Sequence, residues 1–213
     1  MKRLFLLVPI FALVFSCSSD DDSSPQPIEP NNFYALTVGN EWVYKWYFRS
    51  TQVNEFEFNG VVDSVSIVGT EEINGNTYFK VRQFTSGNNS ANVGFPLWDD
   101  GESYTYLRDS VGYLVEDNGT IYFNNSNHEP FVMTSDNTIT HYGKLTENTP
   151  IIDVGAGSIE CLEMELYVGN PNSISPLQHY YYSNGIGAVI WQGKFVSQTY
   201  HPWERRLESY TIQ

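Results

Sequence analysis

Apolar and aromatic side chains recur at every second position in the most regular segments of this 213-residue chain. The clearest example is an aromatic face made by Trp42, Tyr44, Trp46 and Phe48. A period of two places alternate side chains on one face of a β-strand, whereas an amphipathic helix needs a period near 3.6. The pattern therefore predicts a half-buried strand here, and almost no segment has a convincing helical period.

Tight-turn signals separate the predicted strands. Asn74-Gly75 and Asn118-Gly119 each lie between two alternating segments, and Ser183-Asn184-Gly185 separates two more. Asn-Gly readily adopts the positive φ angles of a two-residue hairpin, so the flanking strands are expected to pair antiparallel. Counted along the chain, these signals predict about ten strands of mostly antiparallel order.

Residues 33–213 are predicted to form a single all-β domain with little helix. A content of 15% aromatic residues favours strands, and the length suits one domain with a tail. Ten strands are too many for one flat sheet, so a curved sheet is expected, as a half-barrel, a barrel-like meander or two packed layers. A binding site is expected in the concave face or in the loops that border it, which are 86–97, 124–130 and 169–176.

The N-terminus carries a targeting signal. Basic residues at positions 2 and 3 precede an apolar run at 4–15, which is too short for a bilayer that needs about 20 helical residues, so 1–16 is predicted to be a signal peptide. Val14-Phe15-Ser16-Cys17 resembles the bacterial lipobox, and the resemblance implies covalent acyl chains, such as palmitate, on Cys17. The alternative is an ordinary secretory signal that ends in cysteine.

Residues 17–32 are predicted to be a flexible tether, because they hold three prolines and an acidic run and little that can be buried. The sequence Ser19, Asp20, Asp21 and Asp22 behind the lipidated cysteine resembles the surface-export signal of Bacteroidota outer-membrane lipoproteins. That resemblance implies a domain on the cell surface. Otherwise the acids only keep the tether solvated, and the domain faces the periplasm.

The charge balance excludes some partners. The chain has 25 acidic and 11 basic residues, a net charge of −14. Loss of Lys2 and Arg3 with the signal leaves 9 basic residues against 25 acidic ones, a net charge of −16. A nucleic-acid partner is not expected, because it requires clustered lysine and arginine. Attachment to a membrane is expected to depend on the acyl chains rather than on a basic patch.

No motif for a catalytic residue, a bound metal or a cofactor other than the lipid on Cys17 is present. The histidines have no metal-ligand spacing; they are His128, His141, His179 and His201. The acids of Asp99-Asp100-Gly101-Glu102 are predicted to be solvated, since calcium takes six or more oxygen ligands. Cys161 lies in a strand-like segment and is predicted to be a buried structural thiol.

Two pairs of carboxylates are compatible with a glycoside hydrolase. Glu55 and Glu57, and also Glu163 and Glu165, lie two residues apart, so each pair can present both acids on one strand face, as glycoside hydrolysis requires. The same spacing is typical of any solvated strand face, which is the preferred interpretation. The adjacent Tyr180, Tyr181 and Tyr182 cannot all face inward on a strand, and Trp98 and Trp203 are expected in loops.

Three segments resemble Bacteroidota lipoproteins of undefined function. They are the domain entry Leu36-Thr37-Val38-Gly39-Asn40-Glu41-Trp42-Val43-Tyr44, the phrase Tyr181-Tyr182-Ser183-Asn184-Gly185-Ile186-Gly187-Ala188-Val189, and the ending Leu207-Glu208-Ser209-Tyr210-Thr211-Ile212. Similar starts and endings occur in the LolA/LolB lipoprotein carriers, whose half-barrels hold acyl chains. Lipocalins, which open with Gly-x-Trp, are less similar, because Gly39 is followed by tryptophan one residue too late.

Two short motifs resemble the Asp-Ser-aliphatic acceptor of bacterial protein O-glycosylation. They are Asp63-Ser64-Val65 and Asp109-Ser110-Val111, and the resemblance marks Ser64 and Ser110 as candidate acceptors. Because three-residue motifs arise often by chance, ordinary strand or turn residues are the preferred interpretation. An attached sugar requires an exposed site.

These patterns favour a non-enzymatic lipoprotein of the outer membrane, slightly more on the cell surface than on the periplasmic side. The domain is expected to act as a binding or structural module for a glycan, lipid or protein. The alternatives are a carrier of a hydrophobic, lipid-like ligand and a carbohydrate-active hydrolase. Ligand-facing aromatics are expected at Trp42, Tyr44 and Trp46.

Overall fold

The computed structural model describes residues 32–49, 55–88, 96–173 and 175–213. The predicted signal peptide, the lipidation site Cys17 and the sorting residues Ser19 and Asp20–Asp22 lie outside the described residues, and their roles stay predictions. Within the described part of the chain no helix forms, so none that is long and apolar enough to cross a membrane is found.

Fourteen strands form in the described residues. They are β1 Glu41–Phe48, β2 Glu57–Ile73, β3 Asn76–Ser86, β4 Gly101–Ser110, β5 Tyr113–Glu116, β6 Ile121–Asn124, β7 Phe131–Ser135, β8 Thr140–Leu145, β9 Ile151–Val154, β10 Gly157–Glu160, β11 Leu162–Val168, β12 Gln178–Ser183, β13 Gly187–Gly193 and β14 Trp203–Thr211.

Twelve of these strands form one antiparallel sheet in the order β6-β5-β4-β3-β2-β1-β14-β13-β12-β11-β8-β7. The two edge strands, β6 and β7, contact each other, so the sheet curves into a nearly closed barrel. The predicted all-β class and curved antiparallel sheet are confirmed. Fourteen strands replace the expected ten, and among them β9 and β10 have four residues each, too few to show a period of two.

The predicted turns are also confirmed. At the β2–β3 hairpin, Asn74 and Gly75 have φ of 51° and 75°, and Ile73 pairs with Asn76. Gly119 and Gly185 have positive φ in the β5–β6 and β12–β13 turns. Positive φ at a turn is the conformation that glycine adopts at no steric cost. Local sequence therefore determines these strand pairings.

The barrel interior is packed by the inward side chains of β1, β2, β13 and β14. One group of buried side chains contains Trp42, Ile67 and Leu207 together with Cys161 of the segment between β10 and β11. Cys161 is 2% exposed, and burial raises the pKa of its thiol to about 12. The prediction of a buried thiol is therefore confirmed.

Trp203 is placed differently from the prediction. It is the first residue of β14 rather than part of a loop, and it is completely buried. Its ring packs against Trp191 and Trp46, with ring centroids 4.9 and 6.0 Å away. The preceding Pro202 hides the start of the strand in the sequence, whereas Trp98 does lie in a loop and is 54% exposed.

The segment before β1 packs into the core. Phe33, Tyr34 and Ala35 are nearly inaccessible to solvent. The Tyr34 hydroxyl donates to the carbonyl of Gly112 in the β4–β5 turn, and the amide of Gly185 in the β12–β13 turn donates to the carbonyl of Phe33. Turns from distant parts of the sheet are thus tied together by one short segment.

Candidate ligand-binding cavity

A cavity of about 450 Å³ lies within the curved sheet. Its walls come from nine strands and one loop, and its lining is Tyr44, Val65, Val81, Gln83, Trp98, Ser103, Tyr104, Thr105, Leu107, Leu114, Glu116, Tyr122, Tyr180, Tyr182, Trp191 and Arg205. Ligand pockets for small molecules typically measure about 300–1,000 Å³ and combine apolar walls with a few polar groups. The cavity has both the size and the composition of such a pocket.

An ion pair is buried in the cavity wall. Asp63 on β2 is completely buried, and its Oδ2 accepts from Arg205 Nε at 2.6 Å and from Trp46 Nε1 at 2.9 Å. Its Oδ1 accepts from Thr85 Oγ1 at 2.7 Å. The carboxylate therefore has donors on both oxygens, as a buried charge requires.

Arg205 on β14 carries the charge that faces the cavity. Its guanidinium lies 3.8 Å from the ring centroid of Tyr44, a cation–π contact, and Nη2 donates to Gln83 Oε1 at 3.3 Å. A guanidinium has five N–H donors, and Asp63 and Gln83 take two of them. Arg205 is also part of the cavity lining.

Tyrosine hydroxyls supply the other polar groups of the lining. Tyr180 donates to Gln178 Oε1 at 2.6 Å, and Tyr122 donates to Glu116 Oε2 at 3.0 Å. The Tyr182 hydroxyl has no hydrogen-bond partner among the residues that the structure describes. Burial raises the pKa values of Tyr180 and Tyr182 far above their ordinary value, so both hydroxyls stay protonated and able to donate.

The expected ligand-facing aromatics divide between cavity and core. Tyr44 lines the cavity, and burial raises the pKa of its hydroxyl to about 12. Trp42 and Trp46 are 6% and 0% exposed; the indole N–H of Trp42 donates to the Ile186 carbonyl, and that of Trp46 to Asp63. Contact of a ligand with any of the three stays a prediction.

The candidate glycosylation serines lie in different environments. Ser64 is exposed on β2, but the preceding Asp63 is buried in the ion pair. Ser110 ends β4 at a turn, where Asp109 is exposed and Val111 is 94% exposed. An enzyme that must contact the whole three-residue motif can reach only the second one in the folded chain.

The two carboxylate pairs lie in different surroundings. Glu163 and Glu165 lie on the outer face of β11, with their carboxylates less than 5 Å apart. The bond from His179 holds the pKa of Glu163 at about 2, so this acid is ionised at neutral pH and cannot act as the proton donor. Contrary to the prediction of a solvated face, Glu163 is only 8% exposed.

The other acids are held separately. Glu55 and Glu57 are exposed, and only Glu57 belongs to a strand. In the acidic loop, Asp100 accepts from the backbone amide of Asn88, and Glu102 forms an ion pair with Arg82. Neither group converges on one point.

A second concavity of about 590 Å³, along the β9–β10 hairpin, has Glu160 as its one charged lining residue.

Asp63, Arg205 and Tyr182 are the functional candidates that sequence patterns missed. The signal was present, because the inward positions of β2 are Val61, Asp63 and Ile67 and those around Arg205 on β14 are apolar. A charged residue at an inward position of two strands predicts a buried pair. The sequence does not show that β1 alone separates β2 from β14 and so lets the two residues meet.

No protein-family model matches this chain, and no curated protein sequence does so either. Two solved structures share the fold. One is assigned as an exported protein with a YmcC-like fold from Bacteroides fragilis, with TM-score 0.52, 10% identity, and coverage of 84% of this chain and 98% of the other. The second is assigned as a lipoprotein from Parabacteroides distasonis, with TM-score 0.51, 13% identity and the same coverage. This chain therefore has the fold of exported proteins and lipoproteins from the Bacteroidota.

Proposed function

We propose that this protein is a lipid-anchored envelope protein that binds one small amphipathic molecule in its barrel cavity and does not transform it. The observation that carries the proposal is the presence of hydrogen-bond donors in the lining of an aromatic cavity. The Tyr182 hydroxyl has no partner in the described part of the chain, and Arg205 has donors in excess of its contacts. Both side chains can therefore donate hydrogen bonds to an acceptor group of a ligand.

The shape of the lining specifies the class of ligand. Tyr44, Tyr180 and Trp191 offer ring faces to an apolar or aromatic body, while Arg205 and Tyr182 offer donors to one acidic group. A carboxylate suits this pair of donors, because a guanidinium binds carboxylates with charge-assisted hydrogen bonds. A single-chain fatty acid is the lipid-like ligand with this chemistry, which extends the role implied by the resemblance to LolA/LolB carriers.

Trp98 and Tyr104 are exposed aromatic residues of the cavity lining, at 54% and 46%. Their rings extend the apolar lining toward solvent, so a ligand is expected to enter between them. Exposed aromatic residues beside a cavity are common at sites that bind small molecules.

Displacement of the fluorescent dye ANS tests the proposal. Dodecanoate and dodecanol share the apolar chain, and only dodecanoate carries the acid, so dodecanoate is expected to displace the dye at the lower concentration. Tyr182→Phe keeps the ring and removes one hydrogen bond to a charged group, which lowers dodecanoate affinity about tenfold and leaves dodecanol unchanged. Tyr106→Phe, outside the cavity lining, is the matched control.

Two results would overturn this function. Dye and dodecanoate that bind equally well to Tyr182→Phe and to the unchanged protein would place the ligand elsewhere. If neither the dye nor either ligand binds saturably, the cavity is not a binding site and the domain is a structural module.

The location is proposed from the sequence and is supported by the exported and lipoprotein assignments of the two structures with this fold. We place the protein in the outer membrane, anchored by acyl chains on Cys17, with the acidic run at 19–22 directing it to the cell surface. Cys17→Ala is expected to release the protein from the membrane fraction. Protease added to intact cells is expected to digest the domain, and complete protection would place it on the periplasmic side.

A further inference from the structure

A second cluster of chemically capable side chains lies on the outer face of the sheet. Glu163 and Glu165 are on β11, and His179 on β12 is the direct cross-strand neighbour of Glu165. One donor atom from each of the three residues lies within 4.8 Å of the other two. Because these side chains point away from the barrel interior, the cluster is separate from the cavity.

Hydrogen bonds orient both carboxylates. Tyr181 Oη donates to Glu163 Oε1 at 3.0 Å, and Asn148 Nδ2 donates to Glu163 Oε2 at 2.9 Å. Tyr167 Oη donates to Glu165 Oε2 at 2.5 Å. Hydrogen bonds of this kind fix the orientation of ligand carboxylates in metal sites, where removing them lowers metal affinity about 10–100-fold.

The histidine is oriented as well. His179 Nδ1 lies 2.8 Å from Glu163 Oε1, so the two atoms share one proton. The ring is parallel to that of Tyr181, at an angle of 10°, with centroids 6.3 Å apart. A cation that replaces the shared proton meets a nitrogen and an oxygen that already point toward each other, and Glu165 supplies the third donor.

An orphaned nitrogen lies beside the cluster. The ring of His201 stands edge to face against His179, with centroids 4.9 Å apart. Its Nε2 is buried and has no hydrogen-bond partner among the described residues. A buried polar atom without a partner calls for an explanation, such as an ion or water. His201 therefore leaves one unsatisfied nitrogen in a ring that contacts His179.

We propose that Glu163, Glu165 and His179 bind a divalent transition-metal ion of the zinc type. One imidazole and two carboxylates are a donor set for Zn²⁺ and its first-row neighbours, whereas Ca²⁺ and Mg²⁺ prefer oxygen alone. Three protein ligands leave the fourth position of a tetrahedral ion open. His179 and Glu165 are partly exposed, so the ion has access from solvent.

Isothermal titration of the chain from residue 17 onward, with Cys17→Ser, tests the metal site. After treatment with a chelator, ZnCl₂ is expected to bind with one ion per chain, and CaCl₂ at least tenfold more weakly. His179→Gln and Glu165→Gln are each expected to lose at least tenfold in affinity. His128→Gln, which alters a half-exposed histidine outside the cluster, is expected to bind zinc normally.

Tyr167→Phe tests whether a loss of zinc affinity comes from the site rather than from unfolding. It removes only the hydroxyl that orients Glu165, so the fold is kept and zinc affinity is expected to fall about 10–100-fold. Unfolding temperatures measured without metal show whether each variant is folded. Absence of saturable zinc binding, equal binding of zinc and calcium, or normal zinc affinity in both His179→Gln and Glu165→Gln would overturn the proposal. None of these measurements involves the cavity ligand, so the two proposals fail separately.

Discussion

The strongest test of the fold is Asp63→Asn, a change of charge with almost no change of volume. Asp63 is completely buried and accepts from Arg205, Trp46 and Thr85. The amide of asparagine keeps one acceptor oxygen, but its N–H₂ group replaces the other oxygen and faces groups that are themselves donors. Arg205, whose side chain is 13% exposed, then keeps its charge in the barrel without a counter-ion.

The expected loss follows from that geometry. Removing one partner of a buried ion pair costs about 3–5 kcal/mol, because the remaining charge is desolvated and uncompensated. Replacing both charges in Asp63→Leu/Arg205→Met removes the stranded charge and is expected to recover most of the loss, since hydrophobic replacements of buried pairs are often neutral. Such a recovery would show that the pair is not needed for stability, as a role for Arg205 in ligand binding predicts.

Urea unfolding, followed by tryptophan fluorescence on the chain from residue 18 onward, measures these free energies. The slope of the free energy against urea should not change, because the surface exposed on unfolding is the same. Glu208→Gln is the control, since it breaks a partly exposed pair with Lys45 at 2.8 Å and should cost less than about 1 kcal/mol. A loss below about 1 kcal/mol in Asp63→Asn, or a double variant as unstable as the single one, would refute the reasoning.

Three further predictions concern other parts of the molecule. Burial raises the pKa of Tyr44 from 10 to about 12 and also raises the pKa of Tyr182. The stability that these protonated hydroxyls contribute is therefore complete below pH 10 and decreases as the pH rises to 12. Tyr182→Phe removes one of the two hydroxyls and should make this decrease smaller in urea unfolding at alkaline pH. Gly193→Ala should cost about 1–3 kcal/mol in urea, because its Cβ would lie 2.4 Å from the Trp203 ring, whereas Gly69→Ala meets nothing and should cost less. If the host glycosylates the folded chain, mass spectrometry should find sugar on Ser110, and sugar on Ser64 alone would contradict the exposure argument.

Strand pairing was the part of the fold most accessible from sequence. Alternation and Asn-Gly turns act over a few residues, so the β2–β3 and β5–β6 hairpins could be located from local patterns. The short strands β9 and β10 could not, because four residues do not show a period. The sequence also did not predict whether the sheet closes. Closure depends on the contact between β6 and β7, and neither strand carries a sequence signal for that contact.

The three segments that resemble Bacteroidota lipoproteins meet in the structure, which gives them a physical meaning. The Trp42 indole donates to the carbonyl of Ile186 at 2.7 Å, and Asn40 Oδ1 accepts from the amide of Gln213 at 2.8 Å. Gly187 has φ of +92°, and a Cβ there would lie 3.3 Å from the carbonyl oxygen of Tyr34. These residues join the two ends of the chain to the β12–β13 turn, so the shared pattern reports the fold and not the ligand.

Strand β12 explains why a domain rich in tyrosine can carry two separate sites. Tyr180 and Tyr182 point into the cavity, whereas His179 and Tyr181 point outward to the carboxylate of Glu163. A shift of one residue in the pairing of β12 would exchange these faces and place His179 and Tyr181 in the barrel. Both proposed sites therefore depend on the observed pairing of Leu162 with Tyr182. Because side chains on opposite faces of a strand do not touch, occupancy of one site can influence the other only through the backbone of β12.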